Sequence, residues 1–298
     1  MNWLERFRSQ QTLTVDLIRI YLGLGLFVKG IFFLLHPEQI SLTSDQRWLA
    51  ASVQGLPYVH IAGGLLLASG LLARLACLIQ IPILLGAIAL VALPEMTGLQ
   101  HREGAELTGL VLFLLTLFAV WGAGKFSLAG RFGRSSVDMA RNYQKWLNDR
   151  SDLFVDLVRI YLGIGLFVKG LYIMAHRGEL VSLVQESGTA WFIVVGAAHL
   201  VVPAHIVGGV LLALGLVTRA AALAQLPLLL GAVFWVYLPR FSSLALRENL
   251  ELSSLVLFLL ALIVAHGPGR FSVDHVLERG LREDQERAIL PGPLNHSS

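Results

Sequence analysis

The feature that most constrains this chain is an apolar segment of sixteen residues that occurs twice. Residues 15–30 read VDLIRIYLGLGLFVKG and residues 155–170 read VDLVRIYLGIGLFVKG, with 14 identities in 16 positions. The likeness continues downstream. His60 with Gly63 and Gly64 returns as His205 with Gly208 and Gly209, Gln80 and Pro82 as Gln225 and Pro227, and Arg102, Glu103 and Glu106 as Arg247, Glu248 and Glu251. The offset is 140 residues over the first block and 145 afterwards, so the second copy carries five extra residues before its second helix. A tandem duplication of one unit is expected.

Each copy holds four apolar stretches of about 17–22 residues, the length that crosses a hydrocarbon core at 1.5 Å per residue. They fall near 14–35, 57–73, 76–93 and 105–122, then 154–175, 200–218, 221–238 and 249–266. Composition agrees, because 55% of the residues are apolar, only 14% are charged and the mean hydropathy is +0.69. Soluble chains carry about a quarter charged residues. The expected fold is all-α, a polytopic membrane protein of eight transmembrane helices arranged as two parallel four-helix bundles related by a pseudo-two-fold axis. The units span 1–122 and 154–273, with a linker at 123–153 and a polar tail at 274–298. Because the first apolar run recurs in mid-chain, it reads as a retained helix rather than a signal peptide.

Charge sets the orientation. Of 23 Lys and Arg, 14 lie in the termini, the two short turns at Arg74 and Arg219 and the linker, and 5 lie in the remaining loops. Cytoplasmic loops carry the excess, so both termini are expected in the cytoplasm and the host is a cytoplasmic (inner) membrane. The net charge of +3 forms no basic stripe, which argues against nucleic acid. A single cysteine, Cys77, leaves no CxxC motif, no haem-attachment motif and no thiolate set for an iron–sulfur cluster.

The informative residues are the charged ones inside apolar helices, since each costs about 2.5–3.5 kcal/mol to insert. Asp16 and Arg19, with Asp156 and Arg159, are three apart and read as local structural pairs that snorkel to the boundary, beside glycines that admit a neighbouring helix. Asp16, Arg19, Gly23, Phe27 and Gly30 share one helical face, and Lys29 points elsewhere. Lys29, His36, His60, Glu103 and Glu106 are expected to converge at the outer end of the first bundle. Lys169, His176, His205, Glu248 and Glu251 do so in the second, with Lys29 beside Glu106 and Lys169 beside Glu251.

Such a cluster reads either as a neutral clamp or as a proton-handling pocket beside a bound carbonyl compound. Bis-histidine haem ligation by His60 and His205 is a weaker reading, and no HxxxH or HExxH spacing supports a metal. Pro82 and Pro227 are expected near the start of the third helix of each copy, where proline is tolerated. GAGKFS at 122–127 and GPGRFS at 267–272 lack the phosphate-loop spacing and read as helix stops. Trp48 and Trp191 fit interfacial anchors.

Gly63-Gly64-Leu65-Leu66-Leu67 followed by Gly70-Leu71-Leu72-Ala73-Arg74 resembles the core motif of the DoxX-like membrane family. Gly208-Gly209-Val210-Leu211-Leu212 with Gly215-Leu216-Val217-Thr218-Arg219 is closer still, and Gly267-Pro268-Gly269-Arg270-Phe271-Ser272-Val273-Asp274 is similar to the family's closing motif. The first copy ends on Ala129 where the second has Asp274. The resemblance implies a four-helix unit and, from members that serve quinone-linked oxidoreductases or thiol and oxidative-stress systems, an accessory role in a membrane redox system with quinone as ligand and a redox protein as partner. The residues alone leave two rivals standing, a small-molecule or ion transporter and a non-catalytic membrane scaffold. No nucleophile–base set or cofactor fingerprint argues for autonomous catalysis.

Overall fold

A computed structural model describes residues 11–37, 53–92, 99–124, 127–128, 151–186, 188, 191–241 and 244–289. Among these residues every regular element is helical: α1 (Gln11–Leu35), α2 (Leu56–Ser69), α3 (Ala73–Ala87), α4 (Leu99–Trp121), α5 (Ser151–Ala175), α6 (Arg177–Gln185), α7 (Trp191–Leu214), α8 (Thr218–Gly231), α9 (Leu244–His266) and α10 (Val273–Ile289). Most of the linker, Trp48, Ala129 and the side chain of Trp191 lie outside the described part.

Six stretches are long and apolar enough to cross a membrane: Leu13–Leu35, Ala73–Leu90, Arg102–Trp121, Asp152–Ala175, Thr218–Arg240 and Leu246–His266. The two second helices fall below that standard, with shorter apolar stretches at Leu56–Ser69 and His199–Leu214. Outward-facing leucines and valines such as Leu24, Val28, Leu65, Leu78 and Leu223 are about half exposed or more, as a surface wetted by lipid tails requires.

Two elements depart from the sequence-based expectation. Pro82 and Pro227 stand inside α3 and α8, because these helices begin at Ala73 and Thr218, directly after the turns. Proline removes one backbone donor, and each helix passes into a π-helical segment a few residues later, at Ile88–Ala92 and Ala232–Tyr237. The polar tail is helical over α10, with Val276, Leu277 and Leu281 exposed.

The first and second helices of each half cross at glycine. A Cβ at Gly64 would lie 2.5 Å from the backbone nitrogen of Phe27, and one at Gly209 would lie 2.6 Å from that of Phe167. Backbones approach this closely only without side chains between them.

The intramembrane Asp–Arg pairs form as expected, at 3.1 Å for Asp16–Arg19 and 2.9 Å for Asp156–Arg159, but they do not snorkel. All four residues are 1% exposed. Arg19 Nη1 donates to the carbonyls of Leu67 and Ala68, and Arg159 Nη1 to those of Leu212 and Ala213. Each guanidinium therefore adds donors at the carbonyl end of the second helix, where Leu67 and Leu212 also accept the N–H of the capping Gly70 and Gly215. Those helices stop at Gly70 and Gly215, both at φ +71°, where glycine carries no Cβ penalty. In the second half the knot extends to the closing loop. Phe271 donates its N–H to Asp156 Oδ2 at 3.0 Å, and Arg159 Nη2 donates to the Phe271 carbonyl at 3.1 Å.

Asp274 completes this end by accepting the backbone N–H groups of Val217 at 2.7 Å and Thr218 at 2.8 Å, where α8 begins. Val217 is held at φ +49°, unusual for a β-branched residue. Burial pushes the Asp274 carboxyl up, but those N–H donors and the nearby Arg159 outweigh it and hold the group below its ordinary value. A depressed carboxyl contributes its stability above the pKa of a free aspartate, about 4, and loses it as pH falls through the folded value. Asp274→Ala should therefore lower the melting temperature at neutral pH, by the equivalent of roughly 1 kcal/mol for a helix cap. The gap between variant and parent should close in acid, read by tryptophan fluorescence melts in detergent at a series of pH values. A gap independent of pH would show that the carboxylate charge is not what caps α8.

Candidate functional site

The opposite ends of α1 and α5 carry the two lysines, and the structure assigns them partners across the halves. Lys29 Nζ lies 3.0 Å from Glu251 Oε2 and 3.5 Å from Glu248 Oε1 on α9. Lys169 Nζ lies 2.6 Å from Glu103 Oε1 and 3.0 Å from Glu106 Oε2 on α4. The expected pairing of Lys29 with Glu106 and of Lys169 with Glu251 inside each half is thus replaced by its exchange. The physical reason is that the fourth helix of each half packs on the first helix of the other. Tyr21 of α1 stacks on Phe258 of α9 with ring centroids 4.3 Å apart, and Phe113 of α4 stacks on Tyr161 of α5 at 4.2 Å. Phe154 at the start of α5 adds contacts to Phe118 and Trp121 of α4.

Two arginines complete the clusters. Arg102 Nε donates to Glu106 at 2.9 Å, and Arg247 Nε donates to Glu251 at 3.2 Å, each an i,i+4 pair. Their guanidinium groups lie over rings of the other half, Arg102 over Tyr172 at 4.4 Å and Arg247 over Phe32 at 3.4 Å. Neither arginine was singled out from sequence, although its repetition four residues before a glutamate was a legible signal.

Of the remaining expected members, His60 belongs to the Lys29 cluster, with its ring edge-on to Phe33 and its Nδ1 3.1 Å from the Leu56 carbonyl. Lys29 also lies 5.5 Å from the Phe33 ring. His205 lines a cavity with Lys169. The two histidines therefore sit in separate clusters, a poor arrangement for shared ligation of one haem. His36 and His176 are exposed at the ends of α1 and α5, His36 tilted against Phe32 and His176 stacked on Tyr172, rather than gathered into the clusters.

The cavity is the functional opportunity. It has a volume of about 730 Å³ and is bounded by α4, α5, α6, α7, α8 with its π-helical extension, and α9. This lies within the range of about 300–1,000 Å³ common for ligand pockets. Its polar end is formed by Arg102, Glu103, Glu106, Lys169, His205 and Tyr237. The rest is apolar, with Leu162, Leu166, Val201, Trp235 and Val256 among the lining residues.

Two lining features, α6 and Tyr237, were not foreseen. α6 falls in the stretch where the second copy is longer, and contributes Leu180, Leu183 and Val184. It is fastened by Arg240, whose Nη2 donates to the Leu183 carbonyl at 3.1 Å and whose Nη1 lies 3.7 Å from Glu186. Tyr237 is buried, and the position that matches it in the first copy is Ala92, so no repeat marked it. Gln225, fully buried beside the cavity-lining Pro227, donates to the Ala204 carbonyl next to His205, and Gln80 donates likewise to Val59 at 3.0 Å. Each glutamine tethers its third helix to the second.

The Glu248 carboxylate packs against Gly104, where an added Cβ would displace it. The residue in the matching place of the other copy is Asn249, fully buried, with no hydrogen-bond partner for either amide atom among the described residues.

The exchange of partners makes a direct prediction. Lys169→Glu and Glu106→Lys should each destabilise the protein strongly, by roughly 3–5 kcal/mol if the pair behaves as a buried one. Combining them should restore much of the loss, because the two charges then attract again. Lys29→Glu combined with Glu106→Lys, which reverses two residues of the same half, should restore nothing. Thermal melts of the single and double variants check this, and rescue by the same-half combination would contradict the geometry.

The family model described as DoxX matches residues 154–238, from the start of α5 to the end of the π-helical segment. No curated protein and no solved structure matches the chain.

Proposed function

We propose that this multi-pass membrane protein, which the DoxX family model matches over residues 154–238, binds a small apolar molecule of the quinone class and serves a membrane redox system as an accessory subunit. One observation carries this reading: a cavity of about 730 Å³ with apolar walls and an ionised cluster at one end. Apolar walls suit a ring system and its tail, while a few convergent polar groups fix the head.

Lys169 has three N–H groups and commits two to Glu103 and Glu106, so its third suits a carbonyl oxygen of the ligand. Glu103, Glu106 and His205 supply further groups through which protons could pass to or from a bound head. The corresponding Lys29, His60, Glu248 and Glu251 cluster is proposed as the duplicated counterpart.

In this reading the chain crosses an inner, cytoplasmic-type membrane eight times, with α2 and α7 completing the set. Both termini face the cytoplasm, and the four-helix units at 1–122 and 154–273 are related by a pseudo-two-fold axis. The linker at 123–153 and the tail from 274 are the segments offered to a redox partner.

Transport is a second reading, and one observation favours it: α8, a wall of the cavity, carries Pro227 within it and then passes into a π-helical segment, an irregularity of the kind that transporter helices often show.

Protein purified in mild detergent should retain a stoichiometric apolar molecule in its lipid extract, identified by mass spectrometry. Lys169→Met should reduce that retention at least tenfold. Empty protein whose tryptophan fluorescence does not respond to added quinone, although Trp235 lines the cavity, would contradict the proposal. Uptake of a solute by proteoliposomes under the same conditions would favour transport.

A further inference from the structure

The walls of the cavity are of two kinds. Toward the interior of the bundle they are buried, with Leu110, Leu166, Leu229 and Ser253 among them. Other lining residues are exposed at the surface of the protein: Ile164, Gly165 and Val168 on α5, Leu200 on α7, Pro227 on α8 and Trp235 on its π-helical extension. None of these is charged, and Ile164, Leu200 and Trp235 are exposed over more than half of their surface. All but Leu200 lie within the membrane-crossing stretches Asp152–Ala175 and Thr218–Arg240, and Leu200 lies in the apolar stretch His199–Leu214. The surface they share is therefore wetted by lipid tails rather than by water.

The two ends of the cavity are covered. Beyond Lys169, α6 turns Leu180, Leu183 and Val184 onto it, the last two buried. At the opposite end the fully buried Leu114, Leu115, Phe118 and Leu259 fill the bundle. Along α5 the change from lipid to cavity takes a single turn. Ile164 and Val168 are exposed, Lys169 grips its glutamates, and Gly165 stands between them, four residues before Lys169 on the same face. A Cβ added at Gly165 would meet no other atom within 4 Å, so no neighbouring helix walls off that place.

Resting on the reading of this cavity as a ligand site, we infer that it opens sideways into the bilayer past Gly165, and that its ligand is a lipid-dissolved amphiphile with a tail longer than the cavity. The head lies at Lys169 and the tail runs out through the lipid-facing wall. A tail that leaves this way stays among acyl chains, so its apolar surface is kept from water whatever its length. The site then selects by head group and tolerates any tail, and the ligand arrives from the membrane rather than from either aqueous side. Gly165 determines that tolerance, because a large side chain in its place would fill the opening.

The test is a pair of probes sharing one dimethoxy-methyl-benzoquinone head, one with a decyl tail and one with a solanesyl tail too long to be enclosed. Each is equilibrated between nanodiscs holding the full-length protein and empty nanodiscs of the same lipid. Mass spectrometry of the extracts gives the excess in the loaded discs, which cancels simple partition into lipid. Both probes should show a saturable excess, with affinities within about threefold of each other. Gly165→Trp should weaken binding of the solanesyl probe at least about tenfold. Gly25→Trp, at the matching position of α1 and outside the cavity lining, should leave both probes unchanged. Both substitutions enter open space and should keep the melting temperature of the parent, and the comparison of tails in the parent needs neither. A parent protein that binds the decyl probe and excludes the solanesyl probe by about tenfold or more would have an enclosed site, which overturns the lateral opening and leaves the cavity reading standing. Solanesyl binding equal in Gly165→Trp and the parent would overturn the opening past Gly165. An excess of neither probe, or one that Lys169→Met leaves unchanged, would overturn the cavity reading and this inference with it.

Discussion

The exchange of lysine–glutamate partners between α1 and α9, and between α5 and α4, is the constraint from which the rest of this structure follows. A lysine inside an apolar helix cannot stay uncompensated, and its carboxylates stand on the fourth helix of the other half. Those fourth helices lie against the third helix of their own half and against each other, and from there each reaches the lysine of the other half. Along the way they set down the aromatic stacks of Tyr21 on Phe258 and Tyr161 on Phe113. The cavity is a product of the same arrangement, since its lysine and histidine come from α5 and α7 and its glutamates from α4. Neither half on its own holds all of its polar groups.

The other end of the first helices solves a different problem. There Arg19 and Arg159 are fully buried, and each is tied to an aspartate one turn earlier and to the last carbonyls of the second helix. This fixes where the second helix stops, and the glycine crossings fix how closely it lies. With that end rigid and the lysine end committed to the opposite half, the first helix acts as a strut between two kinds of contact. Arg159 and its neighbours hold α5 in place, and α5 in turn presents Lys169 to the cavity.

Much of this was legible in the sequence. The long apolar helices, the close glycine faces, the Asp–Arg pairing and the gathering of lysine, histidine and glutamate at one end all follow from residue type and spacing. The choice of partner was not legible. Glu106 and Glu251 are the same residue in the same setting, so a pattern that places lysine and glutamate at one depth is equally satisfied within a half or across halves. The tertiary structure alone distinguishes them, pairing across the halves beside the stacks of Tyr21 on Phe258 and Phe113 on Tyr161. Burial of Arg19 and Arg159 was misjudged for a related reason: helical spacing shows a local partner but cannot show carbonyls some fifty residues away. α6 and Tyr237 carry no repeat, and a sequence read by its repeats passes over what only one copy has.

Crosslinking across the halves tests the exchange most directly. Tyr21 and Phe258 changed to cysteine in a Cys77→Ser background, with a protease site introduced between residues 130 and 150, should yield two halves that a short thiol crosslinker keeps joined after cleavage. The Phe113 and Tyr161 pair, at 4.2 Å, should behave the same way. Halves that separate with both pairs, after efficient labelling of each cysteine, would mean that each fourth helix stays with its own half, and the composite site would not exist.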